Sequence, residues 1–182
     1  RDEAVDGEVL AAMVARQGIT VMQATPTTWH LMLDAKWRAS TGFKALVGGE
    51  PLPPSLALAL REQGIELWNM YGPTETTVWS TIARIDDARQ KISIGQPIAN
   101  TQVWILDEQQ RPVPVGQEGE ICIGGAGVAL GYFKRAELTA ERFMADPFRH
   151  GHKLYRTGDL GRWRDDGQLE QLGRLDLQVK IR

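Results

Sequence analysis

The chain has 182 residues, of which 42% are apolar and 24% charged, and its formal net charge is −2. This composition is typical of a globular protein with enough chain for a core, and no basic excess indicates nucleic acid or an anionic membrane as a partner. No apolar run is long enough to span a membrane, and no segment has the layout of a signal peptide. Because Cys122 is the only cysteine, no intrachain disulfide is possible, and a cytoplasmic location is expected.

The first part of the chain is predicted to alternate helices with short apolar strands. Periodicity predicts a helix at 9–14, a strand at 19–22, a helix at 29–33, a strand at 43–47, a helix at 56–63 and a strand at 65–69. Thr27 or Thr28 is expected to cap the second helix, and Ser55 the third. This alternation is typical of βαβ units around a parallel sheet, so the fold class is α/β.

The stretch from Asn69 to Thr77 combines an aromatic ring, a Gly-Pro turn, three hydroxyls after Pro73 and one carboxylate. A ring can cover a flat ligand, a hydroxyl can donate to phosphate, and a carboxylate can hold Mg²⁺. Its composition alone favours an ordinary loop. Parallel strands, however, end at one shared edge, where α/β sheets bind ligands, and this edge gathers 23–25, 48–51 and 69–77. The stretch is therefore a candidate site.

After residue 85 the pattern changes to brief apolar runs separated by Gly, Pro and Asp. These runs predict an antiparallel, barrel-like sheet with strands at 92–94, 102–106, 113–115, 120–123 and 128–132. Further along, the pattern predicts a helix at 137–143, strands at 153–156 and 160–163 flanking Thr157-Gly158-Asp159, a hairpin turn at 165–167 and a strand at 169–172. The predicted division is an α/β nucleotide- and substrate-binding part at 1–90, followed by a β-rich part at 91–172.

Several features are weak when taken singly. The glycine-rich run 124–127 lacks the strand–helix context of a dinucleotide-binding loop. His30, His150 and His152 show no metal-ligand spacing. Cys122, flanked by two isoleucines, is expected to be a small buried residue rather than a nucleophile.

Four motifs in order are far more specific. They are Asn69-x-Tyr71-Gly72-Pro73-Thr74-Glu75, Gly119-Glu120-Ile121-Cys122-Ile123-Gly124-Gly125-x-Gly127-Val128-Ala129-x-Gly131-Tyr132, Tyr155-Arg156-Thr157-Gly158-Asp159-Leu160, and Gly173-Arg174-Leu175-Asp176-x-Gln178-Val179-Lys180-Ile181-Arg182. Together they resemble the adenylation domains of nonribosomal peptide synthetases, within the adenylate-forming ligases. The resemblance covers essentially the whole chain.

The resemblance implies activation of an amino acid with ATP and Mg²⁺, followed by transfer to the phosphopantetheine thiol of a carrier protein. The implied partners are the carrier-protein and condensation domains of the same synthetase. The implied chemistry is attack of the substrate carboxylate on the α-phosphorus, without a protein nucleophile.

The resemblance also implies roles for individual residues. Tyr71, beside Gly72, would stack on adenine, and the backbone of Gly49, Glu50 and Pro51 would cover the other face of the base. Asn69 would bind the adenine edge, Asp159 both ribose hydroxyls, and Arg174 the ribose or phosphate region. Thr74 and Glu75 would carry the reaction, Thr74 by donating to the α-phosphate and Glu75 by holding Mg²⁺.

The implied substrate pocket is lined by Gln23, Leu46, Gly48, Met70, Val78 and Trp79. Apart from the Gln23 amide, these side chains offer no partner to a charged group, and burying an unpaired charge is costly, so an uncharged amino acid is favoured. One departure from the family pattern is Gln171, where an aromatic residue is common, and this puts one contact near the nucleotide in doubt.

The chain reads as a fragment: it starts without methionine, and 178–182 alternate as a strand in progress. Residues 173–182 would be the hinge, at Asp176, and the start of the C-terminal lid. The phosphate loop, the acid that grips the amino group and the lid lysine would lie outside, so the fragment alone is expected to be inactive. The alternatives are an acyl- or aryl-CoA ligase of the same superfamily, and a non-catalytic nucleotide-binding or interaction domain.

Overall fold

The computed structural model describes residues 6–175. They form two compact units, one made of 6–70 with 83–92 and the other of Tyr71–Ile82 with 93–175. The predicted hinge Asp176 and the strand predicted at 178–182 lie outside the described residues. None of the described helices is long and apolar enough to cross a bilayer.

The first unit confirms the predicted alternation of helices and parallel strands. Its elements are α1 (Gly7–Arg16), β1 (Val21–Ala24), α2 (Pro26–Asp34), β2 (Lys44–Gly48), α3 (Pro54–Glu62) and β3 (Glu66–Tyr71), whose last residue opens the second unit. β1 pairs with β2, and β2 with β3, in parallel register. The three strands therefore end at one edge, as predicted.

Two of the predicted helix caps are wrong, in both cases because proline opens the helix two or three residues earlier. Thr25, not Thr27 or Thr28, caps α2, and its hydroxyl accepts from the Thr28 N–H at 3.4 Å. α3 starts at Pro54 and has no side-chain cap, so Ser55 lies inside the helix. Proline suits the first helical position because its fixed φ is already helical and its missing N–H would be unpaired there.

The helices of the first unit pack on one face of its sheet. The core on that face contains Trp29, Met32, Phe43, Leu56, Leu60, Ile65 and Leu67, all at most 1% exposed. Trp29 meets the edge of Phe43 with ring centroids 6.3 Å apart. Fully burying an aliphatic or aromatic side chain contributes about 1.5–3 kcal/mol. This well-packed core holds the strand ends in a fixed register.

The second unit contains the antiparallel sheet. Its elements are β5 (Gln96–Pro97), β6 (Thr101–Leu106), β7 (Gly119–Gly125), α4 (Ala136–Arg142), β8 (Phe143–Ala145), β9 (Lys153–Trp163) and β10 (Leu169–Arg174), and β4 (Thr81–Arg84) starts in it. The strands run in the order β10-β9-β7-β6, and β8 also pairs with β9. Ile121, Ile123 and Leu169 are fully buried at the centre of one hydrophobic cluster.

Three of the predicted strands are absent: residues 92–94, 113–115 and 128–132 are loop. The last of these is the most informative. In this segment the Ala129 N–H donates to the Glu75 carbonyl at 2.8 Å, so the backbone bonds to another loop instead of a neighbouring strand. Gly131 has a φ of +146°, which is not a strand conformation. An apolar pattern does not distinguish these two arrangements, because it does not show which backbone groups lie nearby, and Leu130 of this apolar run is 90% exposed.

The predicted separation of the strands at 153–156 and 160–163 is also wrong, since β9 runs through Thr157-Gly158-Asp159 as one strand of 11 residues. Opposite β7 the register shifts, with Glu120 facing Leu160 but Cys122 facing Arg156. The three residues 157–159 therefore face a single residue of β7. Such a bulge bends a strand and re-aims a side chain without ending the pairing.

Candidate functional site

The bulge in β9 aims Asp159 at a fixed position. The Thr157 hydroxyl donates to the Ile121 carbonyl at 2.7 Å and accepts from the Asp159 N–H at 2.9 Å. The Gly158 N–H donates to Glu120 Oε1 at 3.0 Å, and the φ of Gly158 is +71°, a conformation that favours glycine. Glu120 is itself held by Arg156, whose Nε and Nη2 lie 2.9 and 2.7 Å from Oε2.

Asp159 is 7% exposed, and its carboxylate accepts hydrogen bonds from two side chains. The Tyr71 hydroxyl donates to Oδ2 at 2.5 Å, and Arg174 Nη1 donates to Oδ1 at 3.1 Å and to the Thr157 carbonyl at 3.0 Å. A carboxylate has about four lone-pair sites, so each oxygen keeps one for a further donor. Two neighbouring hydroxyl groups of a ligand would fit those positions.

Tyr71 keeps its proton in this arrangement. Burial, followed by the negative charge of Asp159, raises the pKa of the Tyr71 phenol well above its ordinary value. The hydroxyl therefore remains a donor at any physiological pH, and the ring packs against the cluster around Ile121 and Ile123. A hydrogen bond at one end and apolar packing along its length fix the orientation of this ring.

Residues 71–80, which we call the site loop, close on themselves. The Ser80 N–H donates to the Tyr71 carbonyl at 2.8 Å. A Cβ on Gly72 would lie 2.5 Å from the Val78 carbonyl oxygen, so only glycine fits there. Thr77 and Val78 have φ angles of 62° and 69°. Such backbone costs about 1–3 kcal/mol for a residue with a side chain and is concentrated at functional sites.

Glu75 lies at the centre of the site loop in a short 3₁₀ turn, Thr74–Thr76. Its Oε1 accepts from the Tyr132 hydroxyl at 2.6 Å. Thr74, the preceding residue, is exposed. Among the described residues no group of three or more His, Cys, Asp or Glu side chains forms a metal site. A half-buried carboxylate with Oε2 remaining for a cation fits Mg²⁺, which binds few protein oxygens and takes its other ligands from phosphates and water.

In the first unit, the structure brings four predicted pocket residues onto one sheet face. They are Gln23, Leu46, Gly48 and Met70, which occupy matching positions at the ends of β1, β2 and β3. Side chains alternate along a strand, so this face is opposite the one that packs Ala45, Val47 and Leu67 into the core. The remaining pocket residues, Val78 and Trp79, lie in the second unit, where Val78 is 50% exposed.

The other predicted site residues of the first unit do not belong to this group of four. Asn69 is 4% exposed and shares the core face with Val47, not the face of Met70. Gly49 follows β2 with a φ of +88°, which favours glycine, and the neighbouring Pro51 is exposed. Glu50 Oε2 accepts from the Thr27 hydroxyl at 3.4 Å.

Two further residues of the second unit, Gln171 and Tyr132, lie close to the predicted site residues in sequence or in space. Gln171, at the position of the family's common aromatic residue, lies in β10 opposite Gly161 and is half-buried. Tyr132 is the last residue of the second sequence motif, which assigns it no role, yet it donates the hydrogen bond to Glu75 across 57 residues of sequence. No spacing rule in the sequence links the two, so only the fold could reveal the contact.

Comparisons with known proteins identify the family of the chain. The family model described as AMP-binding enzyme matches residues 1–133, and the chain belongs to that family. A dimodular nonribosomal peptide synthase of Bacillus subtilis is 48% identical over 96% of this chain, and tyrocidine synthase 3 of Brevibacillus parabrevis is 46% identical over 98%. The chain spans 7% and 3% of the lengths of these two relatives.

Solved structures point to the same group. A holo four-domain nonribosomal peptide synthetase bound to AMP and glycine is 50% identical with a TM-score of 0.89, covering 100% of this chain and 14% of that one. A protein containing adenylation and PCP domains is 33% identical with a TM-score of 0.87, covering 97% and 37%. These matches confirm the resemblance to adenylation domains of nonribosomal peptide synthetases, and this chain corresponds to a segment of one.

Proposed function

We propose that the protein containing this chain activates an amino acid with Mg·ATP to give an aminoacyl-adenylate and pyrophosphate. The observation that carries the proposal is the buried Asp159 carboxylate, oriented by Tyr71 and Arg174, with an acceptor site left on each oxygen. In the proposed complex these oxygens accept from both ribose hydroxyls. Tyr71 stacks on adenine, and Arg174 adds positive charge close to the ribose.

The reacting end of the nucleotide is assigned to Thr74 and Glu75. The exposed Thr74 hydroxyl donates to the α-phosphate, and Glu75 is the protein ligand of Mg²⁺. Bound Mg²⁺ would neutralise charge that develops on the phosphate oxygens. The substrate carboxylate forms a bond to the α-phosphorus while the bond to pyrophosphate breaks, so this chain contributes positioning and charge stabilisation without a nucleophile of its own.

The proposed substrate is an amino acid with an uncharged side chain. The face formed by Gln23, Leu46, Gly48 and Met70 presents one amide and no charged group at the strand ends. On the same face of β2 and β3, the charged residues are Lys44 and Glu66. They lie at the opposite end of the strands, where their side chains form an ion pair at 3.7 Å. A charged substrate side chain would find no partner there and would lose its hydration.

Further roles of the complete protein are proposed from the similarity of this chain to adenylation domains. The backbone of Gly49, Glu50 and Pro51 and the amide of Asn69 contact adenine. The product passes to the phosphopantetheine thiol of a carrier-protein domain, next to a condensation domain in the same synthetase. The four reported relatives and solved structures support this branch over an acyl- or aryl-CoA ligase, since all are nonribosomal peptide synthetases or contain an adenylation domain paired with a PCP domain.

The test is exchange of labelled pyrophosphate into ATP by the full-length protein, with each common amino acid supplied in turn. We expect exchange well above the rate without amino acid for one or a few uncharged side chains, and none above it for Asp, Glu, Lys or Arg. Arms with benzoate or a fatty acid plus coenzyme A test the CoA-ligase alternative. Exchange that no amino acid stimulates would overturn the proposal, and exchange stimulated only by a charged one would overturn the assigned side-chain class.

A further inference from the structure

The backbone around Glu75 is fixed from two sides within the second unit. The Ala129 N–H donates to the Glu75 carbonyl at 2.8 Å, and the Thr77 hydroxyl donates to the Gly127 carbonyl at 2.8 Å. A Cβ on Gly127 would lie 2.9 Å from the Thr76 carbonyl oxygen, so the two segments are in close contact. The remaining freedom at Glu75 is rotation of its own side chain.

Tyr132 removes that freedom. Its hydroxyl donates to Glu75 Oε1 at 2.6 Å, a short bond to a charged acceptor, and such bonds are about twice as strong as neutral ones. One oxygen of the carboxylate is thereby engaged, and the plane of the group is set. Oε2 is then the oxygen that faces a bound cation.

Tyr132 is itself held at both ends. Its N–H donates to the Thr139 hydroxyl at 2.9 Å, and that hydroxyl donates to the Arg135 carbonyl at 2.8 Å, which ties Tyr132 to the start of α4. Its ring meets Phe143 edge-on, with centroids 5.4 Å apart. The Tyr155 hydroxyl lies 3.4 Å from the Tyr132 hydroxyl. The donor therefore has a fixed position before any ligand arrives.

We propose that Tyr132 is the positioning residue for the metal-binding carboxylate: it holds Glu75 Oε1 so that Oε2 is presented to the Mg²⁺ of the nucleotide complex. The inference rests on the proposed function, because it takes Glu75 as the metal ligand. In this proposal Tyr132 acts through Glu75 and not by its own contact with ATP or the amino acid. Residues that orient a metal ligand typically change metal affinity by 10–100-fold when they are removed.

The test measures metal binding directly and therefore does not depend on turnover. Mn²⁺ serves as the probe, titrated into full-length protein with a non-hydrolysable ATP analogue and followed by electron paramagnetic resonance. Tyr132→Phe keeps the ring against Phe143 and removes only the hydroxyl. We expect it to weaken Mn²⁺ binding at least about tenfold. In exchange assays it raises the Mg²⁺ concentration for half-maximal rate while leaving the KM for the amino acid unchanged.

The matched control is Phe133→Leu, since Phe133 neighbours Tyr132 in sequence but is 88% exposed and makes no contact with Glu75 among the described residues. It should bind Mn²⁺ as the parent does. A purely structural role for Tyr132 would lower the number of active molecules without changing the Mn²⁺ dissociation constant, and that result would overturn the inference.

Glu75→Gln separates the inference from the proposed function. If Glu75→Gln weakens Mn²⁺ binding but Tyr132→Phe does not, the positioning role fails and the metal ligand stands. If neither variant changes binding, the assignment of Glu75 as metal ligand fails, and the inference fails with it. If both variants weaken binding, the inference is supported.

Discussion

Replacing Glu75 with glutamine is expected to lower kcat/KM for amino-acid-dependent pyrophosphate exchange by at least about a hundredfold. The amide has nearly the same size, and its oxygen can still accept from the Tyr132 hydroxyl, so the site loop should keep its shape. What it loses is the negative charge that suits Mg²⁺, a hard cation that prefers charged oxygen ligands. The loss should therefore be in activity and not in folding.

The measurement is the initial exchange rate of the full-length protein at saturating ATP and fixed Mg²⁺, with the amino acid varied. Glu137→Gln is the matched control, because Glu137 is an exposed acid in the first turn of α4. The control should exchange at the parental rate. Parental exchange by Glu75→Gln would show that this carboxylate is not the metal ligand.

Replacing Asp159 with alanine is expected to raise the KM for ATP by at least about a hundredfold. Hydrogen bonds to a charged group contribute roughly 1.5–3 kcal/mol each, and two ribose hydroxyls lose their acceptor together. The Tyr71 hydroxyl also loses the acceptor that it has in the structure. Leaving a buried donor unpaired costs about 1–3 kcal/mol, so the free energy of unfolding should fall as well.

Asp159→Asn separates these two effects, since its amide oxygen can still accept from Tyr71. It should recover most of the stability while binding ATP more weakly than the parent. Asp165→Ala, in the exposed turn between β9 and β10, is the control for loss of an acid from this sheet. An unchanged KM for ATP in Asp159→Ala, measured by exchange at varied ATP, would contradict the assignment of Asp159 to the ribose.

The parallel half of the fold was predictable because its signals are local. Each strand of the first unit is a short apolar run bounded by turn residues, and each helix shows apolar periodicity. The errors there concern where elements begin: β1 starts at Val21 and not at residue 19, and Pro26 and Pro54 allowed an earlier helix start than the hydroxyl residues indicated. Cap positions depend on which N–H groups remain unpaired, and that is decided only once the helix has packed.

The antiparallel half was less predictable because its register depends on contacts between distant segments. Thr157-Gly158-Asp159 has the composition of a turn, yet β7 continues to pair on both sides of it and makes it a bulge. Residues 128–132 have the apolar content of a strand, but their backbone bonds to the site loop. Both outcomes depend on which partner is near in space, and composition does not contain that information.

The candidate site was likewise predictable in one respect and not in another. The residue types suited to nucleotide and metal, at Tyr71, Glu75 and Asp159, could be named from motifs. Their mutual arrangement could not: Tyr71 bonds to Asp159 across 88 residues, and Tyr132 bonds to Glu75 across 57. Motifs identify the groups that can contact a ligand, whereas the fold reveals the groups that orient them.

The central claim is that a substrate carboxylate attacks the α-phosphorus of ATP, and transfer of an oxygen isotope tests it most directly. The full-length protein is given its amino acid with ¹⁸O in the carboxylate, together with ATP, Mg²⁺ and hydroxylamine to release the acyl group. The bridging oxygen then stays with the phosphorus, so each AMP released should carry one ¹⁸O atom by mass spectrometry. Unlabelled AMP, or ¹⁸O in inorganic phosphate formed alongside ADP, would contradict the claim.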